Sequence, residues 1–148
     1  MLYQFPAADR PQFLYYLSAE QLAAERGQAL VVLARQVTTG RDRMLSEAVT
    51  GLAAAVSAQA SPGPSRSGPA YPRSALFHAT YLVQACLLRG DLDQAAEAMR
   101  AGLALLPLVR SPRARGHVAG LRPALARRSR SPLVRDLLEE FDEASSVM

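Results

Sequence analysis

The sequence predicts an all-α fold: stacked antiparallel helical hairpins, about six helices in one domain. Three observations lead there. Alanine and leucine supply 27 and 22 of the 148 residues, and with Arg, Gln and Glu they are side chains that lose little entropy in a helix. Isoleucine is absent and valine occurs ten times, so the branched residues that fill pleated sheets are scarce. Apolar residues recur at three- and four-residue spacing between breaks rich in Gly, Pro and Thr. A chain of this length suits one domain and buries roughly two-thirds of its unfolded surface.

The first hairpin spans residues 13–59. A short apolar segment, Phe13, Leu14 and Leu17, ends at Ser18, and Ser18-Ala19-Glu20-Gln21 reads as a capping box. The next helix is expected from Ala19 to about Gln36, with Leu22, Ala29, Leu30, Leu33 and Val37 on its buried face. Thr38-Thr39-Gly40 breaks it. The second helix runs from about Asp42 to Gln59 and presents Leu45, Ala48, Val49, Leu52 and Val56. Residues 60–70, ASPGPSRSGPA, form a linker in which Pro, Gly and Ser make up eight of eleven positions. That composition holds no helix and has no apolar surface to bury, so a mobile excursion is expected.

The second half repeats the scheme over residues 73–109. Ser74 is positioned to cap a helix ending near Arg89, with Ala75, Ala79, Leu82, Val83 and Cys86 inward. Gly90-Asp91 supplies the turn, since Gly takes the left-handed conformation that closes a helix. The partner helix, about Leu92–Leu106, carries Leu92, Ala95, Ala96, Met99, Leu103 and Leu106 inward, and Pro107 stops it. Terminal helices occupy 112–144. Ser111-Pro112 and Ser131-Pro132 start them, Ser as cap and Pro where a missing amide proton costs nothing. Ala114, Val118, Leu121 and Leu125 make one stripe; Val134, Leu137, Leu138 and Phe141 make the next. Pro123, with Gly116 and Gly120, should kink or fray the fifth helix.

Several of these residues carry a resemblance. Leu76–Val109 is similar to one tetratricopeptide (TPR) repeat, through Leu82, Gly90-Asp91 at the turn, Ala95 at the tight helix contact and Pro107 at the end. Ala79, Val83, Cys86 and Gly102 depart from the repeat's preferred Trp, Gly, Tyr and Ala. The stretch from Tyr71 to Ala144 resembles the C-terminal TPR-like region of actinobacterial XRE-type helix-turn-helix transcriptional regulators. Arg73-Ser74-Ala75-Leu76, Gly90 to Ala95, Val109 to Arg115, Leu121 to Leu125 and Pro132 to Asp136 carry it. Tyr16 to Leu30 resembles the preceding repeat, with Thr38–Arg43 departing from its turn. The resemblance implies a sensory or interaction part of a regulator. Such regulators place a DNA-binding domain before the repeats, and the residues before Pro11 leave no room for one.

The resemblance also implies which residues line a concave groove on the first helix of the repeat: Phe77, Thr80, Gln84, Leu87 and Leu88. Phe77 offers apolar area and Gln84 a donor and an acceptor, which suits an extended peptide or a partner helix. The same apolar residues also suit packing against neighbouring helices or a second copy in a homodimer. All seventeen basic residues are Arg and the net charge is +4. Eight arginines fall between residues 110 and 135 with no acid among them, and Arg113, Arg115, Arg122, Arg127, Arg128 and Arg130 are candidate contacts for an anionic partner. Nucleic acid is one such partner. Asp136, Glu139, Glu140, Asp142 and Glu143 follow immediately, however, and an antiparallel last helix would lay them beside the arginines as surface pairs. No aromatic residues interleave the arginines to stack bases. Absence of Lys, Asn and Ile, whose codons are AT-rich, also fits a high-GC genome. Leu22–Leu52 faintly echoes a helix-turn-helix, with Thr38 where the sharp turn usually needs Gly.

Other classes receive little support. The longest apolar run without Gly or Pro is Ala29–Ala34, far below the about 20 residues of a membrane span. Met1–Arg10 has no basic region followed by an apolar core, so no secretory leader is expected. A single cysteine, Cys86, makes no internal disulfide, which favours a cytoplasmic setting. His78 and His117 have no Cys, His, Asp or Glu at ligand spacing, and no serine sits in a glycine elbow. No metal, cofactor or enzymatic activity is expected.

Overall fold

The computed structural model describes residues 19–63 and 68–146. Phe13, Leu14, Leu17 and the Ser18 cap lie outside the described residues, as does the centre of the 60–70 linker. The described elements are α1 (Ala19–Ala34), α2 (Arg41–Ala60), α3 (Pro72–Arg89), α4 (Leu92–Leu105), α5 (Pro112–Ala119), α6 (Arg122–Ala126) and α7 (Pro132–Ser146). A 3-10 turn, Leu106–Leu108, follows α4. The fold is all-α, and consecutive helices pack side by side as stacked hairpins.

Helix α3 is the centre. It packs against α2 and α4 as its chain neighbours, and α1 and α5 also reach it. Helix α7 closes the far end against α4 and α6. The stripes expected on α2, α3, α4 and the terminal helices are buried, Leu92 and Leu138 being only partly so. Gly90 takes φ 76° and closes α3: its amide donates to the Leu87 carbonyl, and the Asp91 amide donates to that of Cys86. Asp91 then caps α4 by accepting from the Gln94 amide at 3.1 Å. Ser111 caps α5 by accepting from the Ala114 amide at 3.3 Å.

Four expectations need correction. Helix α1 does not bury the face of Leu22, Ala29, Leu30 and Leu33; it buries Ala24, Gly27, Val31 and Ala34, and Leu33 stands 44% exposed. The cause is close approach to α2. A Cβ on Gly27 would lie 2.8 Å from Leu52 Cγ, and one on Gly51 would lie 2.9 Å from the Ala23 carbonyl oxygen. Small residues make that contact, so the larger ones are turned aside. Second, Ser74 does not start α3; Pro72 does, with its φ already set for a helix, and the Ala75 amide donates to the Tyr71 carbonyl. Third, the fifth helix is divided rather than merely kinked, giving α5 and α6 on either side of Gly120-Leu121. Fourth, the described ends of the linker are pinned. Pro62 and Pro69 form an antiparallel bridge, and the amides of Ala70 and Tyr71 donate to the carbonyls of Ser61 and Gln59.

One buried polar thread ties the first three helices. His78 of α3 is 2% exposed, and its Nδ1 lies 2.8 Å from Gln59 Oε1 on α2. Gln59 Nε2 donates to Gln21 Oε1 on α1 at 3.1 Å, and Gln21 Nε2 donates to Glu25. Because the Gln59 oxygen only accepts, His78 Nδ1 carries the proton. Burial holds the His78 pKa below its usual value, against a smaller upward pull from Glu25.

Candidate functional site

Helix α3 is buried on nearly every side. Its partly exposed positions from Phe77 to Leu88 are Phe77, Tyr81, Gln84 and Leu88, spaced by four, three and four residues. They therefore form a single outward stripe along the helix. Two of the five expected groove residues are not on it. Thr80 is 1% exposed, and its hydroxyl donates to the Phe77 carbonyl at 2.7 Å; Leu87 is 5% exposed within the core. Neither presents a side chain to a partner. Phe77, Gln84 and Leu88 do face outward, and Tyr81 joins them. The signal that identifies Tyr81 is its place four residues after Phe77 on a helix.

Gln84 of that stripe forms the floor of a cleft of about 490 Å³ whose walls come from the end of α1 and from α5–α6. Arg35 enters from α1, and Arg113, Gly116, His117, Gly120, Leu121 and Ala124 enter from the other side, with Gln84 between. Those six positions follow helical spacing, so one face continues across the α5–α6 break. Gly116, Gly120 and Ala124 are small and four residues apart, which leaves the space open. No heavy atom lies within 4 Å of where a Cβ on Gly116 would stand.

Aromatic contacts fix the upper wall. His117 packs edge-on against Phe77 with ring centroids 4.7 Å apart, and Tyr81 sits 5.6 Å from Phe77 and 6.2 Å from His117. The Arg113 guanidinium lies over the Phe77 ring, 5.7 Å from its centroid. On the opposite wall the Arg35 guanidinium donates to Gln84 Oε1. In the sequence His117 stands without ligand-spaced partners and Arg35 lies inside the Leu22–Leu52 stretch. Neither has a local signal that joins it to Gln84.

The remaining arginines do not make one basic face. Arg115 donates to the carbonyls of Val109 and Leu106, closing the turn after α4. Arg122 forms a two-armed pair with Asp142, both contacts at 2.8 Å, as expected for acids of the last helix. That bonding raises the Arg122 pKa and lowers that of Asp142. Arg128 donates to the Leu87 carbonyl at the end of α3. Arg127 and Arg130 are exposed and have no polar partner among the described residues. Cys86 is fully buried, and burial foremost, with Asp91 next, pushes its thiol up to about 11. Among the described residues no group of His, Cys, Asp or Glu is arranged to hold a metal ion, and no helix is long and apolar enough to cross a membrane.

Searches of protein-family models, curated proteins and solved structures return no match to this chain.

Proposed function

We propose that this chain is a non-catalytic interaction module that captures a protein or peptide partner in the cleft above α3. The observation that carries this reading is the cleft itself, floored by Gln84, which Arg35 bonds, and walled by the α5–α6 face whose His117 packs on Phe77 and Tyr81, so that these side chains are held in place before any partner arrives. Ready-made recognition surfaces lower the ordering cost of binding. The cleft holds no nucleophile beside a base and no carboxylate pair, the arrangements that acyl transfer or acid–base work requires. With the TPR-like pattern of residues 73–109, this supports a sensory part of a cytoplasmic transcriptional regulator system of actinobacterial type. Occupancy of the cleft would bias helix packing or self-association.

DNA reading receives less support. Helix α2, the reader helix of the Leu22–Leu52 echo, is sandwiched between α1 and α3 and buries Leu45, Ala48, Val49, Leu52, Ala55 and Val56. A reader helix must project into a groove. Three of the six candidate arginines, Arg115, Arg122 and Arg128, are bonded to the protein itself.

The test is retention of cell proteins on the immobilised chain, run in parallel with Gln84→Ala and Tyr81→Ala. A specific partner kept by the parent and lost by both variants is the expected result. Micromolar binding to random-sequence DNA that falls steeply with salt, with no protein retained, overturns the reading.

A further inference from the structure

We infer that the cleft above α3 recognises a carboxylate on a short acidic peptide segment, with Arg35 and Arg113 as the charged contacts and the Gln84 amide as the neutral one. This rests on the reading of the chain as an interaction module.

The argument starts from what the cleft offers. Its charged side chains, Arg35 and Arg113, are cations from its two walls, and no acidic residue lines it. Neither forms an ion pair with an acid among the described residues, so their charge is not cancelled locally. Gln84 lies between them. Its oxygen accepts from Arg35, which leaves its amide N–H groups as the part still to be bonded. With its oxygen engaged by Arg35, the amide has both N–H donors left to offer.

The two guanidiniums and the Gln84 N–H groups are donors, His117 being the other polar side chain of the lining, and the complementary ligand is rich in acceptors. An ionised carboxylate meets that description, with two oxygens that accept from planar guanidiniums and from an amide. Arg113 is braced by the Phe77 ring and Arg35 by Gln84. Bracing lowers the rotamer entropy lost on binding. A nucleobase is a poorer occupant, because the Phe77 ring already carries Arg113 and His117. The rest of the surface suits peptide. Gly116 and Gly120 leave the α5–α6 wall bare for an extended backbone, and partly exposed Ala124 offers apolar contact for a flanking side chain.

The experiment follows backbone amide signals of Gln84, Gly116 and His117 in the isotope-labelled full chain at low salt. The probes are a pool of short blocked peptides of Glu, Ala and Leu, a matched pool with Gln in place of Glu, and inorganic phosphate. The Glu pool is expected to shift those signals and to bind about tenfold or more tightly than the Gln pool, the effect of charge-assisted over neutral hydrogen bonds. Arg113→Gln and Arg35→Gln should each weaken it by about tenfold. Gly116→Leu, which fills open space rather than disturbing packing, should abolish the shifts and leave the fold intact. Equal binding of both pools at these residues overturns the carboxylate assignment and leaves the module reading standing. Phosphate binding as tightly as the Glu pool overturns the peptide as the source of the anion. No shift with either pool overturns both.

Discussion

Two glycine-to-alanine substitutions, chemically identical, should change stability in opposite directions. Alanine is favoured over glycine inside a helix by about 0.5–1 kcal/mol, because glycine loses more backbone freedom on folding. At Gly116 nothing opposes that gain: the added Cβ meets no heavy atom within 4 Å. At Gly51 the added Cβ stands 2.9 Å from the Ala23 carbonyl oxygen, an atom of the α1 backbone that no side-chain rotation can move aside. Relief requires α1 to back away from α2. Gly27 makes the reciprocal contact with Leu52, so a retreat loosens packing on both sides of the pair. Overpacking of this kind costs about 1–3 kcal/mol. Set against the propensity gain, Gly51→Ala should lose about 1–2 kcal/mol, while Gly116→Ala gains about 0.5–1 kcal/mol. Urea unfolding followed by circular dichroism measures both, with the comparison made at unchanged denaturant slope so that compactness is not in play. In thermal melts, the loss corresponds to a few degrees for a domain of this size. A Gly51→Ala protein as stable as the parent would show that α1 and α2 are not in backbone contact at Ala23, and the account of why α1 buries its small face would fall with it.

Three further outcomes follow from buried groups. Burial holds His78 neutral, so as pH falls the unfolded chain takes up a proton before the folded one does. The stability this contributes is whole above about pH 6.5 and is lost as pH drops below it, at no more than about 1.4 kcal/mol per pH unit. Parent and His78→Gln, compared by urea titration from mildly acidic to neutral pH, should differ in that slope; equal slopes would refute the assignment. Cys86, with its thiol pushed up to about 11 by burial, should resist maleimide in the folded protein and react only as fast as the chain opens. Labelling at the rate of an exposed thiol counts against its place in the core. Gly90→Ala meets no neighbour within 4 Å but must hold φ near 76°, so it should cost about 1–2 kcal/mol in the same urea assay, and a neutral result denies the left-handed turn.

What was legible in the sequence followed the size of the side chains that mark each face. On α2 and α4, Leu45, Leu52, Met99 and Leu103 stand at helical spacing as large apolar residues among small or polar ones, and the structure buries them. Helix α1 is less legible because three of the four residues of its buried face, Ala24, Gly27 and Ala34, carry little hydropathy and Val31 is the one large residue among them, whereas Val32 and Leu33 are exposed. Two of the five groove positions implied by the resemblance, Thr80 and Leu87, fall in the core for a related reason. Helix α3 is enclosed, so hydropathy hardly distinguishes its faces: buried Thr80 and Leu87 flank a stripe that exposes Phe77 and Tyr81. The cleft itself had no local pattern. Arg35 and Gln84 are 49 residues apart, and only the stacking of α1 and α5 across α3 brings Arg35, Gln84 and His117 to one place.

Gly116 shows why that place is a cleft rather than a filled seam. Sterics do not require glycine there, since its Cβ position is open, and helix formation disfavours it. The gain from glycine at this position is therefore volume, not backbone freedom and not helix stability. Gly120 and Ala124 continue that small-residue face along the cleft. The division into α5 and α6 works with this: α5 packs on α3 and supplies one wall, while α6 packs on α7. One segment thus covers Phe77 of the central helix with His117 and Arg113 and leaves Gln84 at the open cleft. The opposite arrangement exists in the same molecule, between α1 and α2, where Gly27 and Gly51 are occupied by the facing helix and leave no room. Glycines that bring helices together and glycines that hold a gap open look alike in sequence. They are told apart by what a methyl group would meet, and at Gly116 it would meet the open space of the cleft.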